Sequence, residues 1–189
     1  MSESLAVVVP VKGFHLAKQR LAPHLDPEER AALAQAMATT VIAAARTLDV
    51  CVVTDDPAVR AWAAKLGVEV IDDPGGGLNA AVTHARSVLA PRFERMLIAH
   101  ADLPRATDLR GIDAGGVTIV PDRRRSGTNV LCVPTNAVFE FQYGVDSYPL
   151  HHTEALRCGL VTTTHFDVDL ALDVDHPEDL AEANGAAGV

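Results

Sequence analysis

Two aspartates, Asp102 in HADLP and Asp173 in LALDVD, each follow a short apolar run and are expected at the end of a strand. Mg²⁺ takes one or two carboxylates and fills its octahedron with water and phosphate oxygens. Asp102 with Asp173 therefore reads as a metal-binding pair, the other reading of Asp102 being a turn or helix cap. Asp175, just before HPED, reads as the cap of a last helix, and Glu178 and Asp179 as first-turn acids that suit the helix dipole. Two of the three lysines, Lys12 and Lys18, stand with Arg20 in VPVKGFHLAKQRL. They belong either to a solvated loop or to a site for a triphosphate. With a single glycine, this loop is neither a phosphate loop nor a dinucleotide fingerprint.

Three further stretches offer anion-binding groups. DDPGGGLNAA places Gly76, Gly77 and Asn79 at a helix start, as a plain flexible loop or as backbone N–H groups facing an anion or a base edge. PDRRRSGTNVLCV opens a strand at Thr128, whose hydroxyl and N–H suit a bound acid, while Arg123, Arg124 and Arg125 read as a solvated turn. FQYGVDSYPLHH supplies Gly144, where backbone can approach a ligand closely, and Ser147, a helix cap or a phosphate donor. His151 and His152 read as helix-surface residues or as contacts to a phosphate. None of the eight histidines shows the HxxH or HExxH spacing of a zinc site.

These groups need strand ends to hold them. Leu5–Val11, Asp49–Val53, Val68–Ile71 and Met96–Ala99 read as strands buried on both faces, separated by helices at Pro27–Leu48, Pro57–Leu66 and Leu78–Leu89. Asp26 before Pro27 is a helix start and Gly67 a helix stop. The alternation predicts an α/β fold with a parallel sheet covered on both faces. After residue 110 the pattern is mixed: strands at Val117–Val120, Asn129–Val133 and Val161–Thr164, and helices at Tyr148–Cys158 and from Pro177. With no repeat or linker, residues 1–189 read as one domain. In such a sheet, ligands bind beyond the carboxyl ends of the strands, where these residues cluster.

Composition narrows the class. Hydrophobic residues make up 48% of the chain and charged residues 22%, as in globular proteins. No apolar run approaches the ~20 residues of a membrane span, and the N-terminus lacks the basic start and cleavage site of a signal peptide. A net charge of −9 argues against a broad nucleic-acid face. Cys51 and Cys132 lie in apolar runs and Cys158 stands apart, which suits free thiols in a reducing cytoplasm.

In this order, VPVK…AKQRLAPHL, DPGGGLNAA, ADLP, PDRRRSGTN, F-x-YGVDS-x-x-x-H and LALDVDHPEDL resemble the CofC/FbiD family of guanylyltransferases of coenzyme F-420 biosynthesis, from about Val9 to Leu180. The resemblance implies a single-domain, Rossmann-like, MobA-like nucleotidyltransferase fold with a mixed, mainly parallel sheet. It implies transfer of GMP from GTP to phosphoenolpyruvate, 2-phospho-L-lactate or 3-phospho-D-glycerate, with release of pyrophosphate. It assigns Lys12, Lys18 and Arg20 to the GTP phosphates, and Gly76, Gly77 and Asn79 to the nucleoside. Asp102 and Asp173 fall to Mg²⁺, and Thr128, Gly144 and Ser147 to the acceptor acid; Lys12, Lys18 and Asp102 would carry catalysis. His100 and Arg105 depart from the family pattern near the expected acceptor site, which leaves the acceptor open. Rival readings are a relative acting on a molybdopterin or sugar phosphate, and a non-catalytic nucleotide-binding domain. A homodimer is compatible with all of them.

Overall fold

The computed structural model describes residues 4–185. Seven strands form one sheet in the order β3-β2-β1-β4-β6-β5-β7. They are β1 (Leu5–Pro10), β2 (Asp49–Thr54), β3 (Glu69–Asp72), β4 (Arg95–Ala99), β5 (Val117–Pro121), β6 (Thr128–Pro134) and β7 (Thr162–Thr164). β1 pairs parallel with β2 and β4, β2 with β3, and β5 with β7, whereas β6 runs antiparallel to both β4 and β5. The sheet is thus mixed and mainly parallel, with β6 alone reversed. The helices are α1 (Pro27–Ala44), α2 (Pro57–Lys65), α3 (Leu78–Leu89), α4 (Ser147–Arg157) and α5 (Pro177–Gly185).

Strand periodicity sorts the core onto two faces. In β1, Val7 and Val9 pack with Val41 of α1 and Trp62 of α2, while Ala6 and Val8 face Val82 and Leu89 of α3 with Phe139 and Phe141. α1 begins in a capping box between Asp26 and Glu29, behind Pro27 at its first position. It stops at Ala44, short of the expected Leu48, because the chain tightens into turns in which Leu48 N–H donates to Ala45. Gly67 closes α2 at φ 70°. Cys51 and Cys132 are buried free thiols, and burial pushes both up to about 12.

A third, smaller cluster matters most for the site. Leu21 and Val174 are fully buried and pack with Met37, Leu25 and Leu180. Burying such a side chain contributes about 1.5–3 kcal/mol, enough to clamp the segment that carries Lys18 onto the segment that carries Asp173. That second segment is not the strand expected from its sequence. Residues 168–171 turn, and residues 172–175 join no strand, anchored by Val174 N–H donating to the Asp102 carbonyl at 3.2 Å. Asp175 does not cap α5 either. The Asp179 carboxylate reaches back to the N–H groups of Asp175 (3.0 Å) and His176 (2.7 Å), a job beyond dipole stabilisation.

At α4 the cap position is Asp146, at φ 57°, and Ser147 is the first helical residue instead of the cap. His151 is fully buried instead of lying on the helix surface. Its Nε2 accepts from Gln142 N–H at 2.9 Å, which leaves Nδ1 protonated and donating to Thr128 Oγ1 at 3.0 Å. Burial holds its pKa down at about 4, aided by His100.

The imidazole is therefore neutral when folded, whereas the unfolded chain takes up the proton below about 6.5. Stability should fall as pH drops from about 6.5 towards 4, by about 2 kcal/mol from this group between pH 7 and 5. Urea midpoints of wild type and His151→Gln at both pH values should converge by that amount at pH 5. Parallel pH dependences would show that His151 does not carry this term.

Candidate active site

β1 and β4 are neighbours whose connections leave the sheet in opposite directions, so a crevice opens beyond their carboxyl ends. It is a cavity of about 330 Å³ lined by Lys12, Lys18, Asp73, Leu78, His100 and Asp102. A neighbouring hollow of about 440 Å³ shares Lys12 and Asp73 and is walled by Gly75, Gly76 and Gly77. These three glycines have φ of 79°, 87° and 90°, which other residues adopt only under strain. They leave the start of α3 open, with Gly75 N–H held by Asp73 Oδ1 at 2.9 Å. Phe14, edge-on to Trp62 at 5.2 Å, anchors the loop that carries Lys12, whose side chain is exposed.

Lys18 is the electrostatic centre. Its backbone is left-handed, φ 54°, and its side chain is only 9% exposed. Nζ lies 2.6 Å from Asp102 Oδ2 and 3.2 Å from Asp175 Oδ1. Burial lowers the Lys18 pKa, but the two carboxylates outweigh it and raise it above the ordinary value. In Asp102, burial is likewise overcome, by Lys18 and then His100, and the carboxyl is held below its usual range. Among the described residues no cation pairs with Asp173: burial, then the charges of Asp102 and Asp175, push it up. Arg20 reaches Asp175 Oδ2 at 3.1 Å and lies in a separate groove with Asp173, Arg123 and Arg124, away from Lys12.

The second oxygen of Asp102, Oδ1, is buried without a hydrogen-bond partner on another residue. An orphan carboxylate oxygen beside a second, electrostatically frustrated carboxylate is a donor set that a hard divalent cation suits. Among the described residues no group of three or more His, Cys, Asp or Glu could hold a metal alone.

On the other flank, the reversal of β6 brings its first residue beside the end of β4: His100 N–H donates to Asn129 at 3.0 Å. Thr128 is buried there, and because His151 donates to its oxygen, the hydroxyl proton is free to point elsewhere. The Asn79 amide is spent on backbone. Its Nδ2 donates to Tyr143 O at 3.0 Å and its Oδ1 accepts from Tyr143 N–H at 2.7 Å. It thus pins the segment before Gly144 (φ 137°) instead of presenting itself to a base edge. The arginine turn is not merely solvated. Arg123 pairs with Asp179 and Glu182, and Arg125 lies 4.7 Å over Phe166. Arg105, expected near the acceptor, instead donates to the Glu182 carbonyl of α5. Asp73 and Tyr143 lie in stretches singled out from the sequence, DDPGGGLNAA and FQYGVDSYPLHH, without having been given a role, and His151 is buried instead of lying on the helix surface.

Residues 5–184 match the family model described as guanylyl transferase CofC like. A phosphoenolpyruvate guanylyltransferase of Rubrobacter xylanophilus is 36% identical over 98% of this chain and 96% of its own. A 2-phospho-L-lactate guanylyltransferase of Methanothermobacter thermautotrophicus is 33% identical over 93% of this chain and 82% of its own. A solved nucleotidyl transferase of the latter organism shares the fold, with TM-score 0.68, 18% identity and 98% of each chain covered. Strand ends, crevice and sequence agree: this chain belongs to the CofC-like guanylyl transferases.

Proposed function

We propose that this protein transfers GMP from GTP to the phosphate of a small phosphorylated acid (phosphoenolpyruvate, 2-phospho-L-lactate or 3-phospho-D-glycerate) in coenzyme F-420 biosynthesis. Family membership supports the reaction, and the orphan Oδ1 of Asp102 opposite Lys18 carries the assignment of its centre. Mg²⁺ would be held by Asp102 and Asp173, and when bound it offsets the negative charge of the reacting phosphates. The whole chain acts as one domain, in the cytoplasm, without nucleic acid, and a homodimer is compatible with this reading. Among the described residues no helix is long and apolar enough to cross a membrane.

An oxygen of the acceptor phosphate attacks the α-phosphorus of GTP. The new P–O bond forms as the bond to the bridging β-oxygen breaks, and the electron pair leaves with pyrophosphate. Both reactants are anions, so the site's work is positioning and charge compensation. Lys12 and Lys18 take the nucleotide phosphates, Lys18 releasing one carboxylate contact as it does so. Gly76 and Gly77 let backbone lie against the nucleotide, and Asn79 serves it indirectly by fixing the Tyr143 segment. Arg20 acts through Asp175, taking one oxygen of the carboxylate whose other oxygen meets Lys18. Thr128, Gly144 and Ser147 bind the acceptor, with the Thr128 hydroxyl oriented by His151. No general base is required, because a phosphate monoester is already ionised at neutral pH.

Pyrophosphate release, screened with four nucleoside triphosphates against the three acids, should appear with GTP and at least one acid. Orthophosphate release instead would mean a hydrolase or kinase. Asp102→Asn should lower turnover by ~10² or more, as loss of a preorganised electrostatic contact does, with the far-ultraviolet circular dichroism spectrum retained. Near-normal turnover at limiting Mg²⁺ would remove Asp102 from the metal site.

A further inference from the structure

Besides Asp102 Oδ1, two further buried polar atoms near the site, His100 Nε2 and the Tyr143 hydroxyl, have no hydrogen-bond partner among the described residues. Their rings stand 5.4 Å apart and belong to different parts of the chain, one just after β4 and one before α4. Buried polar groups in folded proteins are almost always satisfied, because an orphan donor or acceptor is costly. Two orphans side by side are therefore groups whose partner arrives from outside.

Their surroundings say which partner. His100 lines the cavity shared by Lys12, Lys18 and Asp102, while its N–H is tied to Asn129, the neighbour of Thr128. Tyr143 packs edge-on against His151 at 4.7 Å, and His151 bonds Thr128. Tyr143 also adjoins Gly144, and Asn79 fixes its backbone from both sides. The pair thus joins the crevice, which His100 lines, to the residues around Thr128 and Gly144. Burial raises the phenol pKa, so Tyr143 keeps its proton and donates. Lys18 and Asp102 form the charged centre suited to phosphate, whereas a phenol O–H and an imidazole N–H are hydrogen-bond donors that suit an acceptor-only group such as a carboxylate.

We propose that His100 and Tyr143 form the subsite for the carboxylate of the acceptor acid, His100 Nε2–H and the Tyr143 hydroxyl both donating to it. This rests on the proposed reaction, and it makes the pair the feature that separates phosphorylated acids from other phosphate monoesters.

Tyr143→Phe removes one oxygen and little else. Its KM for phosphoenolpyruvate, or for whichever acid the wild type uses best, should rise roughly 10- to 100-fold, as loss of a hydrogen bond to a charged group implies. The KM for GTP should stay within about twofold, and the melting temperature of the free protein should hold or rise, since an orphan hydroxyl has gone. His100→Phe should shift the same constant in the same direction. Calorimetric binding of glycerol 3-phosphate, a monoester without carboxylate, should be equally weak in wild type and variant. A rise in the GTP constant that disappears with 2′-deoxy-GTP would place the pair on the ribose and overturn the proposal. Unchanged constants with a lowered melting temperature would mean that the pair only holds an internal water, which also overturns it. A wild type that releases no pyrophosphate with any acid would instead remove the underlying reaction, a failure visible before any variant is made.

Discussion

The whole site depends on a charge problem: three carboxylates, Asp102, Asp173 and Asp175, share one end of the sheet with a single buried ammonium between two of them. Removing charges from water costs several kcal/mol each unless partners compensate. Lys18 compensates one oxygen of Asp102 and one of Asp175, Arg20 takes the other oxygen of Asp175, and Asp173 with Asp102 Oδ1 is left over. On the proposed reading, this remainder is where a divalent cation would sit. The packing of Leu21 against Val174 serves this arrangement, since without that cluster the acidic segment would move away from Asp102. A left-handed lysine backbone belongs to the same account, being a conformation that persists only where its surroundings impose it.

The second organising feature is one reversed strand. Six strands point their carboxyl ends at the crevice, and β6 presents its first residue there instead. That inversion brings Thr128 next to His100 and lets α4, through His151, brace the hydroxyl from behind. A histidine held neutral by burial is a fixed tautomer, so it works as a rigid donor and not as a catalytic base. The absence of any general base in the scheme is consistent with this role.

Most of the frame was legible in the sequence because its signals are local. β-branched runs alternating with alanine-rich stretches, the Asp26–Pro27 start of α1 and Gly67 at the end of α2 each act within a few residues. Asp102 was placed for a related reason, since it follows the apolar run of β4 that ends at the sheet edge, whereas the apolar run before Asp173 forms no strand. What escaped was long-range. Val174 bonding the Asp102 backbone, Asn79 spending its amide on Tyr143, and His151 turning inward to Thr128 are contacts across 72, 64 and 23 positions. A helix pattern cannot reveal that a histidine faces a strand not adjacent in sequence. Asp175 was misread because Asx before a helix is a common cap, and only the fold shows two cations waiting for it.

The most direct test is anomalous diffraction from crystals grown with Mn²⁺ and GTP. The charge arrangement predicts an anomalous peak within coordination distance of Asp102 Oδ1 and the Asp173 carboxylate. Bound GTP with manganese elsewhere, or with no manganese between these two carboxylates, would contradict it.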